Sequence, residues 1–153
     1  MLDPDKESFD GITLSHVIEH IYDPIAVLRQ CYTLLKPGGW IWVETPNIEA
    51  LGHKRYGSNW RGLEPPRHLI LFSHASLTYA LEEAGFQSIQ IQSYRPQCEH
   101  LWRASEAIEH GRNPYRYSGL RGENLRAARR ADHVARRDSS VREFITVKAW
   151  KTH

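Results

Sequence analysis

The sequence predicts an α/β fold with strands flanking helices in one domain. Three observations predict it. Two apolar runs, Phe9-Asp10-Gly11-Ile12-Thr13-Leu14 and Trp40-Ile41-Trp42-Val43, bracket a segment of helical periodicity, which reads as a βαβ unit. A second helical segment and a short alternating strand follow it. Near the C-terminus Ile145, Val147 and Ala149 alternate with polar residues, which marks a last half-exposed strand. A length of 153 residues, 41% hydrophobic and 25% charged, suits a single globular domain.

The first run is bounded by acidic residues before it and Ser15-His16 after it, so the strand is expected to end near Leu14. Asp23-Pro24 opens a helix: aspartate caps it, and proline is tolerated at the first helical position, where an N–H has no partner. Ile25, Leu28, Tyr32 and Leu35 form its apolar stripe, and Lys36-Pro37-Gly38-Gly39 stops it. Trp40 to Val43 is apolar on both faces, which predicts a central strand covered by helices on each side.

Thr45 to His68, rich in Pro, Gly, Asn and Arg, reads as a long loop, of a length that is usually either functional or disordered. Ser73 caps a second helix through Leu77, Leu81 and Ala84, closed by Gly85. Ile89 and Ile91 alternate with Gln90 and Gln92 as a strand. Between the last two strands, 97–142 is an arginine-rich, partly helical insert, with "NLRAARRADHVARR" its most helical part.

Several function classes fall away at this level. A formal net charge of +2 does not by itself indicate nucleic acid, and Glu106, Glu109, Glu123, Asp132 and Asp138 break up the basic segment. That pattern describes a solvated helical face rather than a nucleic-acid interface. Cys31 and Cys98 make no disulfide framework, so a reducing, cytoplasmic setting is expected. No apolar run approaches the roughly 18 residues of a transmembrane helix.

His16-x-x-Glu19-His20 matches the H-x-x-E-H pattern of one class of zinc peptidases. Such a site needs both histidines on one face of a stable helix and a third ligand. Here Asp23-Pro24 starts another helix within about a turn, and no third ligand is evident on a helix face. The expectation is therefore loop histidines in ordinary hydrogen bonds, and no metal.

A different reading accounts for more of the chain. In open α/β sheets, ligands bind beyond the carboxyl ends of the strands. Ser15 to His20 leaves one such end and Glu44 to Asn47 the next, so both segments face a common crevice. "FDGITLSHVIEHIYDPIAVLRQCYTLLKPGGWIWVETPN", followed by "RHLILFSHASLTYALEEAGF", resembles the C-terminal half of a class I S-adenosylmethionine-dependent methyltransferase of the type 11, 12 or 23 group. The resemblance spans about 8–94, with a weaker recurrence at 142–150, and rests on "EH…DP", "LKPGG", "PN" and "H…F…L…AGF" in order.

The resemblance implies a partial Rossmann-like methyltransferase fold: strands four to seven of a seven-stranded sheet, with an antiparallel hairpin at its edge. It implies S-adenosylmethionine as cofactor, beside Ser15, His16 and Val17, and a small-molecule acceptor. His20 and His68 are the candidate catalytic residues; Asn47, Tyr56, Trp60 and Arg67 are the candidate acceptor-binding ones. The family's glycine-rich cofactor loop and the acidic residue of its second strand are not found here. The expectation is a part or a shortened form of a methyltransferase, and the alternative is a non-catalytic interaction module. A fourth strand with no neighbour on one side exposes an edge, so self-association through the strand at Ile12 is expected.

Overall fold

The computed structural model describes residues 7–116 and 119–152; Asp3 and Asp5, and Tyr117 and Ser118 of the arginine-rich segment, lie outside the described residues. Four strands form one sheet in the order β1 (Phe9–Ser15), β2 (Leu35–Pro46), β4 (Phe144–Trp150), β3 (Gln87–Ile91). β1 runs parallel to β2, and β4 is antiparallel to both of its neighbours. β3 and β4 are thus the antiparallel pair at one edge, and β1 is the other edge.

The crossover from β1 to β2 is α1 (Pro24–Leu34), capped by the Asp23 carboxylate accepting from the Ala26 N–H at 2.9 Å. β2 begins directly at Leu35, earlier than the expected Trp40, because Phe9 pairs with Leu35 before the register shifts to Gly11 against Trp40. Gly11 suits that shift, since a Cβ there would fall 2.4 Å from the Trp40 indole.

Pairing puts Ile12 with Ile41, Leu14 with Val43, and Val43 with Val147, so these side chains share one face of the sheet. Leu28 of α1, and Leu77 and Leu81 of α3 (His74–Glu83), pack against them to make the main core. Each such aliphatic side chain stabilises the fold by roughly 1.5–3 kcal/mol through burial. α3 starts at a reciprocal capping box between Ser73 and Ser76. The opposite face differs from expectation. Trp40, Trp42 and Trp150 stay partly exposed, and the Lys148 ammonium lies 4.3 Å from the Trp40 ring and 5.1 Å from the Trp150 ring. Only one face of β2 is closed by helices α1 and α3.

The long loop is also more ordered than its composition suggested. It contains α2 (Leu51–Tyr56) and two single 3-10 turns, Gly57–Asn59 and Arg61–Leu63. The arginine-rich segment folds as α4 (Cys98–Glu109) and α5 (Gly122–Arg137). These helices and α2 enclose a second small core of Tyr56, Trp60, Leu101, Trp102 and Ala128. Glu143 ties it to β4: its carboxylate accepts from the indoles of Trp60 and Trp102, both at 2.9 Å, and from the Gly52 N–H at 2.7 Å.

Candidate functional site

β1 ends at Ser15, and the chain turns sharply at His16, whose φ of 53° is uncommon for a residue with a Cβ. The His16 N–H donates to the Glu44 carbonyl at 2.9 Å, which keeps the turn against the end of β2. A 3-10 turn, Ile18–His20, follows. The distant 67–70 segment is fastened to it: the N–H groups of Leu69 and Ile70 donate to the Glu19 carbonyl at 2.8 and 3.2 Å, and His20 Nδ1 donates to the Arg67 carbonyl at 2.7 Å. His68 thereby stands beside His20, with ring centroids 4.8 Å apart.

These elements border a cavity of about 350 Å³ lined by His16, His20, Arg61, Arg67, His68 and His100 among others. Its size falls at the lower end of small-molecule sites. The His16 imidazole lies 3.5 Å from Glu19 and 3.4 Å from Glu44, and these carboxylates hold its pKa up to about 9. Glu19 is fully buried. Burial pushes its carboxyl up, but His16 and the Thr45 hydroxyl, 3.0 Å from Oε2, outweigh it and hold the group below its usual range. His16 likewise holds Glu44 down. Burial lowers the His68 pKa and favours its neutral ring. Glu64, 3.5 Å from His68, is pushed up by burial but is pulled down to about 2 by Arg61, 2.6 Å away, with Tyr115 and Arg67 assisting.

Of the residues singled out in the sequence, His16, His20, Arg67 and His68 come together in this cavity. Ser15 and Val17 are exposed at the end of β1 beside it. Asn47, Tyr56 and Trp60 do not line it. Asn47 is buried and donates to the Ser140 and Arg142 carbonyls, both at 2.8 Å; Tyr56 and Trp60 sit in the second core. The sequence reading had not singled out Glu44, Arg61, Glu64 and His100 as site residues. Glu44 carried a signal, since it leaves the carboxyl end of a strand. His100 carried none, because its place depends on how α4 docks.

Comparison with known proteins gives a consistent picture. A family model described as a methyltransferase domain matches residues 1–91. The biotin biosynthesis bifunctional protein BioHC of Teredinibacter turnerae is 33% identical over 123 residues, covering 76% of this chain and 21% of its own length. A ubiquinone biosynthesis O-methyltransferase of Chromobacterium violaceum is 46% identical over 43 residues, 28% of this chain and 18% of the relative. The chain therefore spans about a fifth of the length of these curated relatives. Among solved structures, a SAM-dependent methyltransferase from Thermotoga maritima, described as a possible histamine N-methyltransferase, superposes with a TM-score of 0.57 at 20% identity. That match covers 99% of this chain and 60% of the other, and at such identity it speaks to the fold.

Proposed function

The chain belongs to the methyltransferase domain family, and from that premise we propose that it serves S-adenosylmethionine-dependent methyl transfer to a small-molecule acceptor. In this reading it supplies the acceptor side of the site and part of the adenosine pocket. The observation that carries the reading is the cavity itself: the carboxyl ends of two adjacent parallel strands open beside paired imidazoles, His20 and His68, brought from distant parts of the chain. Ligands of open α/β sheets bind at such strand ends.

The residues present fit one wall of a cofactor site. Ser15 offers an exposed hydroxyl and Val17 an exposed apolar surface at the end of β1, suited to a sugar edge and a base face respectively. Among the described residues no glycine-rich turn stands opposite them, so the wall is one-sided. When bound, S-adenosylmethionine supplies a methyl group on a positively charged sulfur, open to in-line displacement.

The chain's own residues account for the acceptor side. His20 and His68 each donate Nδ1–H to a backbone carbonyl, at 2.7 Å, which leaves Nε2 of each as a proton acceptor for a hydroxyl. Arg67 and Arg61 set the polarity of the outer wall. Glu19 and Glu44 fix His16 at the junction with the cofactor wall. Trp60 packs against Gly62, whose carbonyl accepts from His68 Nδ1, and so braces the loop that carries His68. A hydroxylated acceptor suits two imidazole acceptors, and the stretch shared with ubiquinone biosynthesis O-methyltransferases supports an oxygen as the methylated atom.

The alternative is a non-catalytic interaction module, favoured by the one-sided cofactor wall. Transfer of label from S-adenosylmethionine to a panel of phenols and sugar alcohols separates the two. The enzyme reading expects label in at least one acceptor, with a rate about 10²-fold lower for His68→Ala. A folded chain that labels none of them supports the module. No helix among the described residues is long and apolar enough to cross a membrane; the free thiols of Cys31 and Cys98 are what favour a reducing, cytoplasmic setting.

A further inference from the structure

We propose that Glu19, His20 and His68 form a binding site for a divalent transition-metal cation. The H-x-x-E-H motif raised a metal site and withheld a third ligand. The fold supplies one from an unexpected place, since His68 comes from the loop rather than from a helix. One ligand-capable atom of each of the three residues lies within 4.8 Å of the others. His68 Nε2 stands 4.0 Å from Glu19 Oε1. His16, the first residue of the motif, is turned instead toward the two carboxylates of Glu19 and Glu44.

Two features set this group apart from a chance gathering of polar side chains. The first is the tautomer. His20 Nδ1 lies 2.7 Å from the Arg67 carbonyl and His68 Nδ1 lies 2.7 Å from the Gly62 carbonyl. A carbonyl only accepts, so each Nδ1 carries a proton, and in the neutral ring that places the lone pair on Nε2. Metal-binding histidines are held in this way, with the far ring nitrogen bonded to a backbone carbonyl or a carboxylate. The second feature is the carboxylate. Glu19 is fully buried, its Oε2 accepts from Thr45, and its Oε1 accepts no hydrogen bond. A buried carboxylate oxygen that accepts no hydrogen bond is held here by the longer ion pair with His16, and an ion placed among these three residues would bind that oxygen directly.

The other charged groups facing the site leave room for this. His16 Nδ1 pairs with Glu19 Oε1 at 3.5 Å, longer than a hydrogen bond, and the ion would displace it from that oxygen while Glu44 keeps His16 as its own partner at 3.4 Å. Glu64 Oε2 is 3.5 Å from His68 Nε2, but that carboxylate is already engaged by Arg61 and Arg67 at 2.6 and 2.7 Å. Zinc bonds to imidazole and carboxylate measure about 2.0–2.2 Å, which sets donors around a tetrahedral ion roughly 3.3–3.5 Å apart. Side-chain shifts on the order of 1 Å bring the three donors to that spacing. Two nitrogens and one oxygen select zinc, iron or cobalt over magnesium and calcium, which take oxygen ligands.

Three protein ligands leave a coordination position open toward the cavity, as in catalytic rather than structural sites. Where the methyl-transfer reading holds, that position would take the acceptor's hydroxyl oxygen and make its proton easier to lose. The Nε2 lone pairs would then hold the ion, and the ion would replace a free base. The binding of the ion itself does not depend on that reading.

The test uses the full chain with metal alone, without cofactor or acceptor, so its outcome is separate from any failure of methyl transfer. Zinc is titrated calorimetrically, and cobalt by its visible d–d absorption, which reports low-coordinate nitrogen and oxygen ligation. We expect one ion per chain and an intense cobalt band. Glu19→Gln, His20→Ala and His68→Ala should each weaken binding about tenfold or more, whereas His100→Ala, in the same cavity, should leave it intact. Circular dichroism of each variant confirms folding, and the isosteric Glu19→Gln guards against a merely structural loss. The proposal is overturned by a folded wild-type chain with no saturable cobalt spectrum. Binding that survives His68→Ala overturns it equally, as does binding that vanishes only in His16→Ala.

Discussion

Glu143 shows how one buried side chain can set the shape of a site it never touches. Its carboxylate gathers three N–H donors, from Gly52, Trp60 and Trp102, and so pins α2 and α4 to the start of β4. There is no space for a larger residue at Gly52, where a Cβ would fall 2.4 Å from the Glu143 carboxylate. Burial pushes the Glu143 carboxyl above its usual 4.5, against the pull of the donors. Folding thus raises its affinity for a proton. Its contribution to stability is whole below the unfolded carboxyl's range and is lost as pH rises through the folded value. Glu143→Gln keeps the volume but turns an amide N–H₂ toward an indole or backbone N–H. We expect it to cost about 1–3 kcal/mol in urea titrations near neutral pH. The gap to wild type should widen as pH falls toward 4.5; a gap that is flat or narrows on acidification would contradict this account of the network.

At the scale of elements, the local signals were the readable ones. Asp23-Pro24 opened α1 and Ser73 opened α3 as their chemistry dictates, because a cap is a contact within three residues. The alternation of Ile145, Val147 and Ala149 likewise described β4. β1 is the element with the least support. Among the described residues it pairs only with β2, and Phe9, Thr13 and Ser15 are exposed along it. An unpaired edge of this kind is a template for another strand, and we propose self-association through it. Sedimentation velocity should show a concentration-dependent dimer for the wild-type chain and a monomer for Thr13→Lys, since an edge lysine disfavours strand addition. A wild-type chain that remains monomeric across the same concentrations would remove the proposal.

Over the whole molecule, strand patterning and turn chemistry announced the individual strands because they are local, whereas the antiparallel pair at the sheet edge was anticipated through the methyltransferase resemblance. The site was legible in part. His16, His20, Arg67 and His68 were singled out through the methyltransferase resemblance, and they meet in one cavity. What the sequence could not convey were contacts across long separations. The bonds from Leu69 and Ile70 to the Glu19 carbonyl bring His68 to its place, and nothing in their own neighbourhood announces them. The same holds for Trp60, whose position in a loop suggested acceptor contact while its indole is spent on Glu143. The partly exposed tryptophans on the second face of β2 escaped a reading based on hydrophobicity, which registers apolar residues but not what covers them.

The central claim is that the carboxyl ends of β1 and β2 form the working end of the chain. It is tested most directly by amide ¹H–¹⁵N correlation spectra recorded as S-adenosylhomocysteine is added into the millimolar range, where even a one-sided pocket registers binding. The account predicts shifts concentrated at Ser15, His16 and Val17 and from Glu44 to Asn47, and their loss in Val17→Glu. A well-dispersed spectrum that does not change, or changes confined to α5, would contradict it.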